Sequence, residues 1–546
     1  MPAREIPIPA PQPAASAAPE VRPSQAPASF SPRDRLALLA VCLAALMSGL
    51  EISSVPVILP ILEQTLQGSF AGMQWIMNGY TIACTAVLMA TGTLADRYGR
   101  KRVFLYSIVL FGVSSLLCGL AWTTPLLIAA RVLQGASGGA MLICLVAVLS
   151  RQFSHPAMRA KAFSAWGILF GIGLGFGPLV GGIIVALSSW RWVFWVHVLI
   201  AVATWLLAVA SVQESRDPQA GKLDVAGTVA LSLAVLGLAY FVTQGADSGF
   251  SSAPALVALA VSGFSFCAFL WAETHATHPM FDFSVFRVRN FSGALLGSAG
   301  MNFSFWPMVI YLPIYFQSAL DQDAATAGAS LLAYTLPTLL FPPLGERLAL
   351  RYRPGIVIPA GMFVIGLGFL LMRAGSQVDW LTVLPGCLVA GAGLGLTNTP
   401  VTNTSTGSVS SARAGMASGI DMSARMISLS MNIALMGFLL VAGVAHYLHS
   451  ALPALPSGDL GQTLANQLAS RIASGNLQEA AATLSSALPA AVPTAIPAPL
   501  PLVRAALAHG FGWIMLYGGI AVWILALASY LTMRASPSPR RVQQRQ

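Results

Sequence analysis

Charge is what this sequence has least of. Only 9% of its 546 residues are Asp, Glu, Lys or Arg, against roughly a quarter in soluble domains. That scarcity excludes the string of about three or four soluble domains that the length alone would allow. Cysteine is scarce too, and Cys42, Cys84, Cys118, Cys144, Cys267 and Cys387 are scattered through apolar segments. They form neither a disulfide framework nor a ligand set, and read as small packing residues. No G-x-x-x-x-G-K-[ST] run occurs, so ATP hydrolysis by this chain is unsupported. No catalytic constellation falls in a loop, and an enzyme is not expected. His275 and His278 lie beside Glu273 in "ETHATH" without a matching ligand set, so neither a metal nor another cofactor is expected.

Apolar length is what the sequence has in excess. Hydrophobic residues make up 56% of it and its mean hydropathy is +0.73, which identifies an all-α membrane protein. Apolar runs of spanning length number fourteen, at 34–62, 72–94, 103–122, 124–149, 161–187, 191–212, 223–244, 253–272, 291–317, 326–350, 354–373, 380–403, 413–446 and 507–532. Ser31-Pro32 with Asp34 reads as a helix start: a cap, a first-turn proline and an acid at the positive end of the dipole. The net charge of +10 would suggest nucleic acid in a soluble protein. Here the basic residues sit in short loops and report topology instead. With the N-terminus inside, the inside segments hold 23 of the 29 Lys and Arg. Arg191, Arg373, Arg471 and Arg504 fall outside, and Arg131 and Arg425 lie within spans. Trp75, Trp122, Trp190 and Trp380 fall at the expected outer ends. Both termini are therefore expected in the cytoplasm.

Residues 1–30 are rich in Pro and Ala and read as a disordered tail without a signal-peptide core, which makes the first span an uncleaved anchor. The long external segment 447–506 carries Leu460, Leu464, Leu468 and Ile472 at four-residue spacing, then a proline-rich run. A helix lying against the outer surface is expected there, with a docking site for a partner as the sharper alternative.

Glu51 stands near the middle of the first span, in "ALMSGLEISSVPVILP" at 45–60. A charge at that depth costs about 2.5–3.5 kcal/mol on insertion scales, so a function is expected of it. Burial raises a carboxyl group's affinity for a proton, and a compound that binds only the deprotonated form then competes with that proton. The structural alternative is an acid paired with Arg131 or with Ser53 and Ser54. Arg131 opens the fourth span in "RVLQGASGGA" at 131–140; an arginine inside a span snorkels, pairs with a nearby backbone carbonyl, or has a functional role. The fifth span, "GILFGIGLGFGPLVGG" at 167–182, places Gly167, Gly171 and Gly175 on one helical face and Gly173, Gly177 and Gly181 on another. Such faces let helices touch backbone to backbone, while Pro178 bends the span.

The loop "GTLADRYGRKRV" at 92–103 pairs glycines suited to close approach and a tight turn, Gly92 and Gly99, with Asp96, an acid needing a partner, and with Arg97, Arg100, Lys101 and Arg102. A decayed echo, "LALRYRPG", follows the tenth span at 348–355 with Leu350 in place of the acid, as in a transporter built from repeats. Asp421 precedes Arg425 by one helical turn, as an ion pair or as a second proton-carrying or substrate-contacting acid. The ninth span collects Asn302, Phe303, Phe305, Trp306, Tyr311 and Tyr315, and Asn398 and Asn403 lie at membrane depth; these pack or line a cavity.

Several of these segments carry a resemblance. G-x-L-A-D-R-x-G-R-K at 92–101 is similar to the signature loop of the major facilitator superfamily, and "RVLQG" resembles its fourth-span motif. "GPLVGG" at 177–182, ending in Gly181 and Gly182, is similar to the antiporter motif of exporters in that superfamily. Leu50, Glu51, Ser53, Leu59 and Pro60 resemble the first-span pattern L-D-x-T-x-x-N-x-A-L-P of the 14-span drug:proton antiporters of the EmrB/QacA type. Glu stands for Asp there, Ser for Thr and Pro56 for Asn. "WIMNGYTIA" (75–83), "WRWVFWVHV" (190–198), "PMFDFSVFRVRNF" (279–291) and "AGMASG" (414–419) agree. His197 departs from the usual Asn, and Asp421 falls where that family is usually apolar.

The resemblance implies a major facilitator fold of two six-helix bundles, 33–215 and 276–533, plus two additional helices in 216–275, with 1–32 and a basic 534–546 as tails. It implies proton-coupled export of small amphipathic or cationic compounds across the cell (inner) membrane, with protons as the coupling ion. Glu51, Arg131 and Asp421 would then serve coupling; Gly92, Asp96, Arg97, Gly99, Arg100 and Lys101 a conformational latch. Gly167, Gly171, Gly175, Gly177, Pro178, Gly181 and Gly182 would form the antiporter motif. Glu51, Tyr80, Asn302, Trp306, Tyr311 and Asn398 would line the substrate cavity. The implied partners are a small-molecule substrate and the lipid bilayer, with no nucleic acid. Related exporters in double-membrane bacteria can work with a periplasmic adaptor protein, a partner suited to 447–506. Two alternatives stand beside this: proton-linked export of one endogenous metabolite, and a membrane sensor or scaffold that no longer transports.

Overall fold

A computed structural model of the chain describes residues 30–153, 156–216, 225–275, 283–376, 379–409, 414–451, 459–487 and 499–534. Among them lie nineteen α-helices and no strand, the arrangement that satisfies every backbone group within a span. α1 (Pro32–Leu66) starts where the sequence marks a start: Ser31 Oγ accepts from the Asp34 amide while the Asp34 carboxylate accepts from the Ser31 amide. α2 (Phe70–Tyr98), α3 (Arg100–Leu120), α4 (Thr124–Gln152), α5 (Pro156–Leu187) and α6 (Arg191–Ser211) follow, then α7 (Val225–Ser248) and α8 (Ala253–His275). The ninth apolar run is broken into α9 (Arg289–Asn302) and α10 (Phe305–Ile314), ending in a π-turn at Tyr315–Ala319. The tenth forms α11 (Ala324–Thr335), α12 (Pro337–Leu340) and α13 (Pro342–Tyr352), bent by 41° before Pro342, where proline removes a backbone donor. α14 (Pro354–Gly375), α15 (Trp380–Gly407), α16 (Ala414–Ala451), α17 (Asp459–Ser474), α18 (Leu477–Ala487) and α19 (Pro499–Arg534) complete the chain.

Twelve of these helices are long and apolar enough to cross a membrane, or thirteen spans with the bent pair taken as one. α2 falls short because Gln74, Asn78, Thr81, Thr85 and Thr91 lie along it, all of them buried within the fold. We term the side carrying Pro32 and Arg534 the terminus face, and the side carrying the turn at 67–69 the cap face.

The packing scheme occurs twice. α1 packs on α5 and α6, α2 on α4, and α3 on α4 and α6; in the later part α9 packs on α16 and α19, α11–α13 on α15, and α14 on α15 and α19. The two parts meet through α5 on α11 and α2 on α16, one helix of each kind exchanged, as a pseudo-twofold relation requires. α7 and α8 pack on each other, and α7 on α2 and α16.

The echoed loop is also an echo in geometry. Gly99 turns between α2 and α3 with φ +114° and ψ +127°; Arg353, at the matching place between α13 and α14, has φ +74° and ψ +143°. Arg97 lies over the Tyr98 ring at 5.6 Å, and Arg351 over the Tyr352 ring at 5.2 Å. At Gly99 a side chain would be strained by φ and would have to displace the Glu214 carboxylate, 2.6 Å from the place of a Cβ. Gly92 is different: a Cβ there would meet only Ile143 at an ordinary 3.8 Å, so no close approach demands glycine. The side chain of Asp96 lies outside the described residues.

One expectation is corrected here. The apolar side of the leucine-spaced stretch is covered by protein, where the spacing leads one to expect lipid. Leu468 and Ile472 of α17 join Leu477 and Leu484 of α18 in the core formed with α16 and α19, because burying apolar residues on protein is as effective as burying them in lipid. Leu460 and Leu464 lie outside the described side chains. Trp190 stands at the turn between α5 and α6, on the cap face, where it is buried against Phe194.

A non-glycine residue in the conformation of Arg353 stores strain on the order of 1–3 kcal/mol. Arg353→Gly relieves it, less about 0.5–1 kcal/mol for glycine's freedom in the unfolded chain. The melting temperature of the purified protein should rise; a fall would show that the arginine head makes contacts worth more than the strain.

Candidate functional site

The buried charge of the first span finds its partner across the bundle. Glu51 on α1, Arg131 and Gln134 on α4, and His197 on α6 are all completely buried. The Arg131 guanidinium pairs with Glu51 Oε1 through Nη1, donates through Nε to the carbonyl of Ile76 at 3.1 Å, and donates to Gln134 Oε1 at 2.6 Å. Gln134 Nε2 donates to Glu51 Oε2 at 3.0 Å and to Ser115 Oγ at 2.9 Å. The guanidinium carbon lies 4.5 Å from the Tyr80 ring centre and 6.0 Å from that of Phe194, so aromatic faces supplement the carboxylate. His197 Nε2 lies 3.5 Å from Glu51 Oε2. Neither Ser53 nor Ser54 serves as a partner: Ser53 Oγ donates to the carbonyls of Gly49 and Gly173, and Ser54 Oγ makes no hydrogen bond among the described residues.

One turn of α1 away runs the glycine seam. A Cβ at Gly173 would strike the backbone of Leu46 and Leu50, and one at Gly181 that of Ser54, while Gly177 accommodates the Ser53 hydroxymethyl group. This face of α5 therefore lies directly on α1. The other face meets α11: Gly182 abuts the backbone of Ala324, Pro178 that of Gly328, and the Gly175 carbonyl accepts from Thr335 Oγ1 at 2.7 Å. Gly171 meets only the Leu339 side chain, and nothing lies within 4 Å of a Cβ at Gly167. α5 is thus the plate between α1 and the second half.

Asp421 sits in a separate network. Arg425 Nε donates to its Oδ2 at 3.1 Å, Ser298 Oγ donates to Oδ1, and Arg425 reaches on to Asn398 Oδ1 at 2.7 Å and Thr402 Oγ1 at 3.0 Å. It ties α16 to α9 and α15, as an ion pair one turn apart. Asn403 donates to Glu346 Oε2 at 2.9 Å. Tyr311 is fully packed: its hydroxyl donates to the Ile433 carbonyl and accepts from Gln74. Asn302 donates to Ser298 O and its carbonyl accepts from Asn432. Trp306 and Asn398 are half-buried. The structure does show a cavity of about 1190 Å³, but it opens at the cap face beneath α17 and α18, lined by Glu63, Gln317, Asp321, Arg471, Glu479 and Arg504 among others. None of the six residues read as substrate-lining borders it.

At the terminus face, the amides of Lys101 and Arg102 donate to the Glu214 carboxylate at 3.1 and 3.3 Å, and Lys101 Nζ donates to the Val209 carbonyl at 2.8 Å. Glu214 thereby caps the start of α3 and locks it to the end of α6. The sequence reading missed both Glu214 and Gln134. Gln134 carried a signal: it lies three residues after Arg131, on the same face of α4. Glu214 carried none beyond its place directly after a span.

A model of the Major Facilitator Superfamily matches residues 41–432, and the chain belongs to that family. It is a multi-pass membrane transporter, not an enzyme. It is similar to the Multidrug resistance protein Stp of Mycobacterium tuberculosis (strain CDC 1551 / Oshkosh), 29% identical over 407 residues that cover 74% of this chain and 76% of that one. The Drug efflux pump JefA of the same strain is 29% identical over 440 residues, 80% of this chain and 86% of that. The Tetracenomycin C resistance and export protein of Streptomyces glaucescens is 28% identical over 414 residues, 74% and 76% of the two chains. Among solved structures, a bacterial homolog of the human lysosomal transporter Spinster, inward-facing and unoccupied, has a TM-score of 0.58 at 17% identity, covering 94% of this chain and all of that one. A D-xylose-proton symporter has a TM-score of 0.55 at 14% identity, covering 85% and 98%. These two likenesses speak for the fold.

Removing one partner of a buried ion pair costs about 3–5 kcal/mol, because the other charge is left uncompensated, whereas removing both is often near neutral. Arg131→Met should therefore lower the melting temperature of the purified protein sharply, and Glu51→Gln with Arg131→Met should recover most of the loss. A double variant as unstable as the single one would show that Arg131 acts through packing.

Proposed function

We propose that this chain exports small amphipathic or cationic compounds in exchange for protons by alternating access. The observation that carries the reading is the Glu51–Arg131 pair, fully buried one turn from the seam where α1 lies on the backbone of α5. Neutralising Glu51 by a proton removes the attraction between α1 and α4. Because α1 and α5 touch backbone to backbone, any shift of α1 is passed to the face that α5 shares with α11. A charge change at one carboxylate thus reaches the boundary between the halves. The names of the relatives, all drug resistance or efflux proteins, support the substrate class. An inward proton contributes about 2.3 kcal/mol per 100 mV of membrane potential.

In this reading the terminus face is cytoplasmic, since Arg97, Arg100, Lys101, Arg102, Arg351 and Arg353 cluster at it and basic loops stay inside. At the cap face the halves are joined by Gln317 Nε2 donating to Val57 O at 2.8 Å and Ser474 Oγ donating to Glu63 Oε1 at 2.6 Å. The Gly99 turn and Glu214 form the inner latch together with Asp96, Arg97, Arg100 and Lys101. α7 and α8 are the extra pair of a 14-span exporter, between bundles at 33–215 and 276–533, and a periplasmic adaptor, where one takes part, meets α17 and α18 on the cap face.

The test uses proteoliposomes with an imposed pH gradient, an internal pH dye and a panel of lipophilic cations and neutral drugs. Wild type should show proton movement on addition of a transported compound, and Glu51→Gln should lose that movement. Proton movement retained in Glu51→Gln would place coupling elsewhere, and silence in wild type across the panel would favour a single dedicated metabolite.

A further inference from the structure

We infer that the coupling proton is bound between two side chains, Glu51 and His197, and that the imidazole sets the pH range of exchange. The inference rests on the proton-exchange reading above and extends it to a residue that the superfamily resemblance left unexplained.

The argument begins from donors and acceptors. His197 Nδ1 lies 2.9 Å from the carbonyl of Val193 one turn back on α6. A carbonyl only accepts, so Nδ1 carries a hydrogen and donates it. In the neutral imidazole Nε2 then presents a bare lone pair. That atom is completely buried and has no hydrogen-bond partner among the described residues. Its polar neighbour is Glu51 Oε2 at 3.5 Å. An ionised carboxylate oxygen facing a bare imidazole nitrogen sets two acceptors against each other in a dry core, where an unsatisfied polar group is costly. One proton removes the conflict, whether it resides on Oε2 and is donated to Nε2 or resides on Nε2 and is donated to Oε2. The pair is therefore a seat for one proton.

The surroundings limit how tightly the seat holds. From α4, Arg131 faces the same carboxylate and opposes any added positive charge; Gln134 donates to Oε2 and favours its ionised form. From α2, the Tyr80 ring covers the guanidinium, and from α3, Cys118 Sγ donates to Gln134 Oε1 at 3.4 Å while Phe111 packs edge-on against the imidazole at 5.9 Å. With Glu51 ionised and His197 neutral, the group of charges sums to zero; with the proton bound it sums to plus one. Retreat of Arg131 strengthens the seat, and its close approach, as here, weakens it. Proton binding is thereby tied to the position of α4 relative to α1. A glutamine at 197, whose amide nitrogen reaches the place of Nε2, can supply an N–H donor to Oε2 and has no basic lone pair, which favours the ionised carboxylate; an asparagine simply removes the basic nitrogen.

Substrate-induced proton release from purified protein, followed with a pH dye across a range of buffer pH, tests this. In His197→Asn and His197→Gln, release should persist but its midpoint should move toward acid by about one unit or more, a tenfold weaker proton site. Midpoints equal to wild type in both would overturn the inference and leave His197 a packing residue, while loss of release in Glu51→Gln would still uphold the exchange reading. Release that survives in Glu51→Gln would defeat that reading itself. Should neither His197 variant fold, infrared titration of wild type decides: a carboxyl C=O band absent from Glu51→Gln and shifted as a strongly hydrogen-bonded acid supports the shared seat, and an unshifted free-acid band overturns it.

Discussion

The ion pair between Glu51 and Arg131 is the constraint on which the first half of this transporter depends. Neither charge reaches solvent, so neither can exist there alone. Each is held in place by what surrounds the other: Arg131 by the Ile76 carbonyl and the Tyr80 ring, Glu51 by Gln134 and the facing His197. Four helices, α1, α2, α4 and α6, are therefore fixed relative to one another by a polar cluster inside an otherwise apolar bundle. Such clusters add little net stability over a well-packed apolar core. What we propose this one adds is a dependence of helix position on a single protonation event.

Among the described residues, the buried ion pair of the second half lies within a single helix. Asp421 and Arg425 form a pair on one helix, with Ser298, Asn398 and Thr402 as further partners. A pair within one turn of one helix holds its own helix and two neighbours but imposes no charge relation between α9 and α15. The two halves repeat each other in packing and in the turn at Gly99 and Arg353, yet they differ in where charge sits. The half with the fully buried inter-helix pair is the one whose α1 and α5 are laid backbone on backbone, and α5 is also the helix that meets the second half at α11. Charge, seam and boundary therefore follow one another in space.

Much of this was readable before any coordinates. Apolar length gave the helices, Ser31 and Asp34 gave the first helix start, and the glycines of the fifth span announced a close seam, although not that it would be two seams with different partners. Glu51 and Arg131 stood out because charge in an apolar run is costly enough to need a reason. What failed to show was anything that depends on facing across the bundle. The aromatics of the ninth span suggested a cavity lining, but Tyr311 is packed because Gln74 and Ile433 happen to lie opposite its hydroxyl. The four-residue leucine spacing in 447–506 fixed an amphipathic helix without saying whether lipid or protein would cover it, since both are apolar. Gln134 and Glu214 acquire roles only from neighbours that are distant in sequence. Among the described residues, those are the contacts that a pattern along one strand of text does not contain.

The central claim is that the protonation state of Glu51 governs whether the halves part at the cap face. Spin labels at Gln64 on α1 and Gln478 on α18, both exposed beside the cap-face cavity, report that separation directly by pulsed dipolar spectroscopy. In lipid nanodiscs the distance distribution should change between acidic and alkaline buffer in the otherwise wild-type protein, and should be insensitive to pH once Glu51→Gln is introduced. A pH-dependent separation that persists without the Glu51 carboxylate would contradict the account.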